Sequence, residues 1–311
     1  MPALITHHLF GEHSAVELPD GIIQGQEELL AFLLGNQGPD PFFFRFSSVP
    51  DNVAACHRFA HVMHEGHVTA AFEALRDGVS HLPADDERIG RSFALGVLSH
   101  YQLDRTTHPL IFAEEYATLD ASPDLDLDTA GGEVHAVIEG EIDSWMLWRE
   151  RHATVLECPP ARELCRTQRI DRVAGALMAQ VALAVFDLDL GADEYGACVR
   201  NMEFVYRAIE PAGSRRAEAV GAIERNFRTH SQIEAMAHKV VTSDSCTFAN
   251  EGHHEWRNPF APELSCASFT DLFDEALAGW PTLSEAFVRG DGLGEACAGL
   301  NYSGSATGED D

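Results

Sequence analysis

The sequence predicts an all-α fold, and three observations carry the prediction. Over most of the 311 residues apolar side chains recur at every third or fourth position, the period of one helix face. Alternating runs of the kind a half-buried strand needs are scarce. Gly and Pro divide the chain into long segments. Hydrophobic residues make up 45% of the chain, enough for a sizeable core. The expectation is therefore one helical domain over 1–303, in which 250–303 forms an irregular C-terminal wrap, with an acidic tail at 304–311.

In chain order, the first helix is expected over 25–35, where Leu29, Leu30, Phe32 and Leu33 follow an acidic start. The turn after it, built from Gly35, Gly38, Pro39 and Pro41, can present Asp40 inward. A helix over 52–77 carries Val53, Cys56, Phe59, Ala60 and Met63, and one over 86–105 carries Ile89, Phe93, Leu95, Leu98 and Leu103. The stretch 119–132 reads as a loop bearing four Asp residues. Helices over 132–152 (Val134, Ile138, Ile142, Trp145), 168–187 (Ile170, Val173, Leu177, Val181) and 191–208 (Tyr195, Val199, Met202, Val205) follow the same rule. So do 213–240 and 268–277, after which the Pro, Gly and Ser content points to irregular chain.

Charge narrows the partners. With 21 Lys and Arg against 50 Asp and Glu, the net charge of −29 repels polyphosphate and anionic lipid unless bound cations intervene. Duplex nucleic acid is excluded as the expected partner. Seven cysteines, an odd number without a CxxC pair, read as reduced and mostly buried. The start MPALITHHLFGEH has neither a basic segment nor a long apolar stretch, and no run of 18 apolar residues occurs anywhere. The expectation is a cytoplasmic protein with at most peripheral membrane contact; nothing in the residues sets an oligomeric state.

The 16 histidines are about twice the average usage, and their spacing carries the chemistry. His100, Asp104 and His108 stand four residues apart, so a helix projects all three from one face, drifting by roughly 40° per step. Their neighbours Leu95, Leu98 and Leu103 are apolar, where an unpaired charge is costly and a divalent ion offsets it. His135 and Glu139 repeat the spacing on a second helix, and two such helices facing each other make a buried metal site. Glu141 and Asp143 fit a solvated acidic face. A third cluster holds His57, His61, His64 and His67, of which at most one or two can serve a single site, and His7 near the start could reach it as well.

These residues resemble the zinc-dependent phospholipase C family, which is related to the single-strand-specific zinc nucleases. The resemblance rests on Thr6-His7, Gly38-Pro39-Asp40, Met63-His64, His100-Tyr-Gln-Leu-Asp104 with His108, and His135-x3-Glu139, in the family's order over about 1–150. It implies a multi-helix bundle with the metal site between helices and two or three Zn2+ per chain. One zinc would be held by Asp40, His64, His100 and Asp104, and a second by His108, His135 and Glu139. A third would use His7, a shared Asp104 and the chain's amino terminus. Secreted members present an N-terminal Trp to that third ion, whereas this chain begins Met1-Pro2. The interval from Asp40 to the next histidine is longer than in those enzymes, which leaves His57 as an alternative to His64. The segment Asn250–Pro259 also resembles relatives, as a lid or as packing.

The activity implied is hydrolysis of a phospholipid or other small phosphodiester, a zinc-bound water attacking phosphorus with Asp40 as general base. A nucleotide or single-strand substrate is the alternative, with Phe42, Phe43, Phe44 and Phe46 as stacking aromatics. A non-catalytic, zinc-stabilised helical binding protein is the third reading. His and carboxylate ligands also suit iron or manganese, but His-rich sites without cysteine favour zinc in a hydrolase.

Overall fold

The computed structural model describes residues 4–122, 125, 127–225 and 231–307. Twelve α-helices run among them: α1 Leu4–Val16, α2 Gln26–Gly35, α3 Pro50–Glu65, α4 Val68–Ser80, α5 Glu87–Asp120, α6 Leu127–Arg151, α7 Gln168–Phe186, α8 Glu194–Ile209, α9 Arg215–Glu224, α10 Gln232–Ala235, α11 Phe269–Arg289 and α12 Leu293–Cys297. A 3-10 turn spans Asp40–Phe44. The only sheet among the described residues is one antiparallel pair, β1 Trp256–Arg257 with β2 Leu264–Ser265. The fold is all-α, as the periodicity predicts, and no described helix is long and apolar enough to cross a membrane.

Helix α5 is the axis. It packs against α2, α4, α6, α7 and α11, and its middle, Ser92–Asp104, is buried throughout. Polar residues survive there because partners meet them: Ser99 pairs with Ser14 at 2.9 Å, and Gln102 Nε2 donates to the Ala276 carbonyl at 2.9 Å. Where α2 crosses α5 the backbones nearly touch. A Cβ on Gly96 would lie 2.1 Å from the Phe32 carbonyl oxygen, and one on Gly35 2.3 Å from that of Phe93. This crossing seats the turn that bears Asp40. Gly96→Ala is expected to lower unfolding free energy by about 1–3 kcal/mol as the helices are forced apart, read from urea titration at constant m-value.

Several expectations need correction. The helix expected over 86–105 continues to Asp120, through Pro109. Pro109 cannot donate to the Arg105 carbonyl, and there Gly304 packs so closely that a Cβ on it would sit 2.6 Å from that oxygen. The stretch 52–77 divides into α3 and α4 at Gly66-His67, where His67 takes a left-handed φ of 55°. Helix α6 begins at Leu127, inside the expected loop 119–132, whose Asp124 and Asp126 lie outside the described residues. The stretch 213–240 holds α9 and the short α10, with 226–230 outside the described residues.

Within the expected C-terminal wrap the helix expected over 268–277 forms and continues to Arg289, the short α12 follows it, and 298–307 is irregular. A capping box between Ser268 and Asp271 starts α11, which runs 21 residues to Arg289 and buries Trp280 against the Ser14 carbonyl at 2.9 Å. Helix α1 had no expected counterpart, because Thr6, His7 and His8 interrupt its apolar pattern. Its N-terminus is capped from far away: Asp143 accepts from the amides of Ile5 and Thr6, both at 2.8 Å. All seven cysteines are unpaired, but only Cys56, Cys198 and Cys297 are buried. The tail residues Gly308–Asp311 lie outside the described residues.

Candidate metal centre

Four helices and one turn bring the histidines and carboxylates together. Helix α5 projects His100, Asp104 and His108 from one face, α6 projects His135 and Glu139, α3 supplies His64, α1 supplies His7, and the 3-10 turn supplies Asp40. A cavity of about 550 Å³ is lined by all of these except His100, which is fully buried. Three groups have their ligand-capable atoms within 4.8 Å of one another: His7, His100 and Asp104; Asp40, His64 and His100; and His108, His135 and Glu139.

Asp104 stands between the groups. Its Oδ2 lies 3.1 Å from His100 Nε2 and 3.9 Å from His64 Nε2, while its Oδ1 lies 3.0 Å from His7 Nε2 and 3.7 Å from His108 Nε2. Asp40 is 3.2 Å from His64 Nε2 and 3.9 Å from His100 Nε2. Glu139 is 3.4 Å from His108 Nε2 and 3.3 Å from His135 Nε2. His57 and His61 line the same cavity but belong to none of the three groups. Met1 and Pro2 lie outside the described residues.

The remote nitrogens show what the near ones can do. Three Nδ1 atoms face backbone carbonyls: His64 that of Ala60 at 2.7 Å, His100 that of Asn36 at 3.0 Å, His108 that of Tyr302 at 2.9 Å. A carbonyl only accepts, so each Nδ1 carries the proton, and in the neutral form of the ring the lone pair of Nε2 turns inward. His100 Nε2 is buried without a hydrogen bond, although it faces Asp104. Lone pairs converging on carboxylates repel one another unless a cation sits among them or the rings are protonated. The donor set of imidazoles and carboxylates therefore fits a divalent ion such as zinc.

The carboxylates are held in their charged form. Burial pushes Asp40 up, but His100 and His64 outweigh it and keep it below the usual carboxylate range. Burial likewise opposes ionisation of Asp104, and His108, His100 and His7 hold it well below that range. Glu139 is also lowered against its burial, with His135 and His108 beside it. Burial would lower His135, yet Glu139 and Glu115 raise it to about 9.

His100 is further set by Gly38, whose φ of 52° favours glycine. A Cβ there would lie 2.4 Å from the His100 ring. Gly38→Ala is expected to displace that ring and weaken at least one bound ion about tenfold or more, comparable to losing a ligand's support; elemental analysis after dialysis against a chelator measures it.

Sequence reasoning missed two supports. Glu115 meets His135 Nδ1 at 2.9 Å, and it falls where the helix was expected to have ended. Tyr302 offers its carbonyl to His108, donates its amide to the His64 carbonyl at 3.2 Å, and lays its ring 4.8 Å from that of His64. No spacing signal links it to residues some 200 positions earlier. Asp143, expected on a solvated face, is instead fully buried under α1.

Among the four phenylalanines after Asp40, Phe42 and Phe44 are core, Phe43 lines the cavity and Phe46 is exposed. From the 250–259 region the chain leads to Phe260, whose ring packs edge-on, at 5.3 Å, against Phe112 of the cavity wall.

No curated protein and no solved structure matches the chain. Residues 6–162, just over half of the sequence and all of the segment that carries the three groups, match the family described as zinc dependent phospholipase C. The chain thus belongs to the zinc-dependent phospholipase C family.

Proposed function

We propose that this protein is a zinc-dependent phosphodiester hydrolase acting on a phospholipid or a small soluble phosphodiester. The observation that carries the reading is Asp104, whose two oxygens face different histidine groups on the wall of one cavity. Asp40, His64, His100 and Asp104 would hold one ion, and His108, His135 and Glu139 a second. His7 and Asp104 would contribute to a third. Zinc bound there supplies a lowered pKa for a water and neutralisation of phosphoryl charge.

The chain's own residues supply the rest. Asp40, charged and open to the cavity, orients the attacking water and accepts its proton. Phe43 and Phe112 offer apolar walls to the part of the substrate beyond the phosphate. Among the described residues neither Lys nor Arg lines the cavity, so a single-phosphate diester with a neutral or zwitterionic headgroup suits it better than a polyanion.

The test is turnover of a chromogenic choline phosphodiester by the zinc-loaded full chain, set against a 3′-nucleotide. Zinc-dependent cleavage of the diester supports the reading. Preference for the nucleotide moves it to the nuclease-like alternative, and turnover of neither, with a chain that unfolds on losing zinc, moves it to a structural role.

A further inference from the structure

We infer that Glu115 is a positioning residue for one ion only, the one held by His108, His135 and Glu139. This rests on the metal-binding reading above. His64, His100 and His108 each rest Nδ1 on a neutral backbone carbonyl, but His135 rests Nδ1 on the Glu115 carboxylate at 2.9 Å. Its other nitrogen faces Glu139 at 3.3 Å. The imidazole is thus flanked by carboxylates, and the one on Nδ1 has two effects. It fixes the tautomer with Nε2 turned to the ion, and it makes that nitrogen a stronger electron donor than a carbonyl partner would.

The charges explain why this histidine alone has a carboxylate partner. Asp40 and the nearer Asp104 oxygen serve the group containing His64 and His100, giving it two carboxylates. The His108 group has Glu139 alone at close range, since Asp104 Oδ1 is 3.7 Å from His108 Nε2. Glu115 is itself 4% exposed, so its charge acts at short range through protein and is weakly screened. It restores to this position the second negative charge that the other has through direct contact.

The rival explanation is a metal-independent ion pair in which Glu115 and Glu139 sandwich a protonated His135. The experiment separates the two with the full chain, stripped of metal and titrated with zinc against a chromophoric chelator, and with cobalt followed by visible absorption. If the wild type takes up no metal, the metal-binding reading itself fails, whatever the variants do. Given wild-type binding, Glu115→Gln, which keeps the shape and an acceptor oxygen, is expected to weaken one ion by about 10–100-fold and leave the rest unchanged. The weakened ion is expected to be the one abolished by His135→Gln, with the same component missing from the cobalt spectrum. Glu115→Asp, which keeps the charge, is expected to retain more affinity than Glu115→Gln. The inference is overturned if Glu115→Gln binds every ion within about twofold of wild type, if it weakens all ions equally, or if Glu115→Asp is the weaker binder. Far-UV dichroism of each metal-free variant confirms that the helices are intact; if Glu115→Gln alone unfolds without metal, the ion-pair explanation replaces this one.

Discussion

Asp104→Ala is expected to remove the ions that Asp104 would hold with His64 and His100 and with His7, weakening zinc there by more than the 10–100-fold typical of losing a supporting residue, because one side chain serves both positions. Its two oxygens face His100 and His64 on one side and His7 and His108 on the other. A buried carboxylate is costly to keep, so the metal-free chain should tolerate the change. The contrast appears in thermal melting. At free zinc one hundred times its dissociation constant, each bound ion stabilises the wild type by about 2.7 kcal/mol; Asp104→Ala should keep at most the share of the ion held by His108, His135 and Glu139. A variant that keeps the wild-type stoichiometry and the zinc-induced rise in Tm would remove Asp104 from the centre. Loss of turnover follows from loss of metal, so the melting curves are the sharper measurement.

The second large effect lies away from the metal. Asp143 is fully buried, accepts from Ile5 N and Thr6 N at 2.8 Å and Thr6 Oγ1 at 2.5 Å, and faces His238 Nε2 at 3.0 Å. His238 in turn meets Glu210 at 2.6 Å. Asp143→Ala would strand two helix-terminal amides and half of a buried ion pair, for an expected cost of about 3–5 kcal/mol in urea unfolding. A cost under about 1 kcal/mol would mean that the network contributes little.

The same network gives stability a pH dependence of known sign. Burial opposes the charge on His238, but Glu210 and Asp143 raise its pKa to about 10, from an ordinary value of 6.5. A group whose folded pKa is raised stabilises fully below its unfolded value and loses that contribution as pH climbs through the folded one. The difference in stability between wild type and His238→Gln should therefore be largest below about pH 6.5 and shrink steadily towards pH 10. A difference that is flat or grows with pH would contradict the assignment.

Much of the candidate site is visible in the sequence, because two of its helices write their chemistry at fixed intervals. Groups at i, i+4 and i+8 must share a face, so His100, Asp104 and His108, and likewise His135 and Glu139, point together before any fold is known. Helices α2, α7 and α8 were legible for the same reason. What local spacing could not show is where a helix ends when a distant residue decides it. Helix α5 continues past Pro109 beside Gly304, and α1 begins at Leu4 under a cap supplied by Asp143.

The residues thus determined by themselves that the chain is helical, that it belongs with zinc phospholipases C, and that two helix faces carry ligand-type side chains. Only the tertiary structure decided that His64 rather than His57 faces Asp40, that Asp104 stands between three groups, that Asp143 is a buried cap, and that Glu115 and Tyr302 support the histidines. The physical reason is range. Helix periodicity is a short-range property of the backbone, whereas the partner of each remote imidazole nitrogen is set by which segments pack together, and for His108 that partner is 194 residues away.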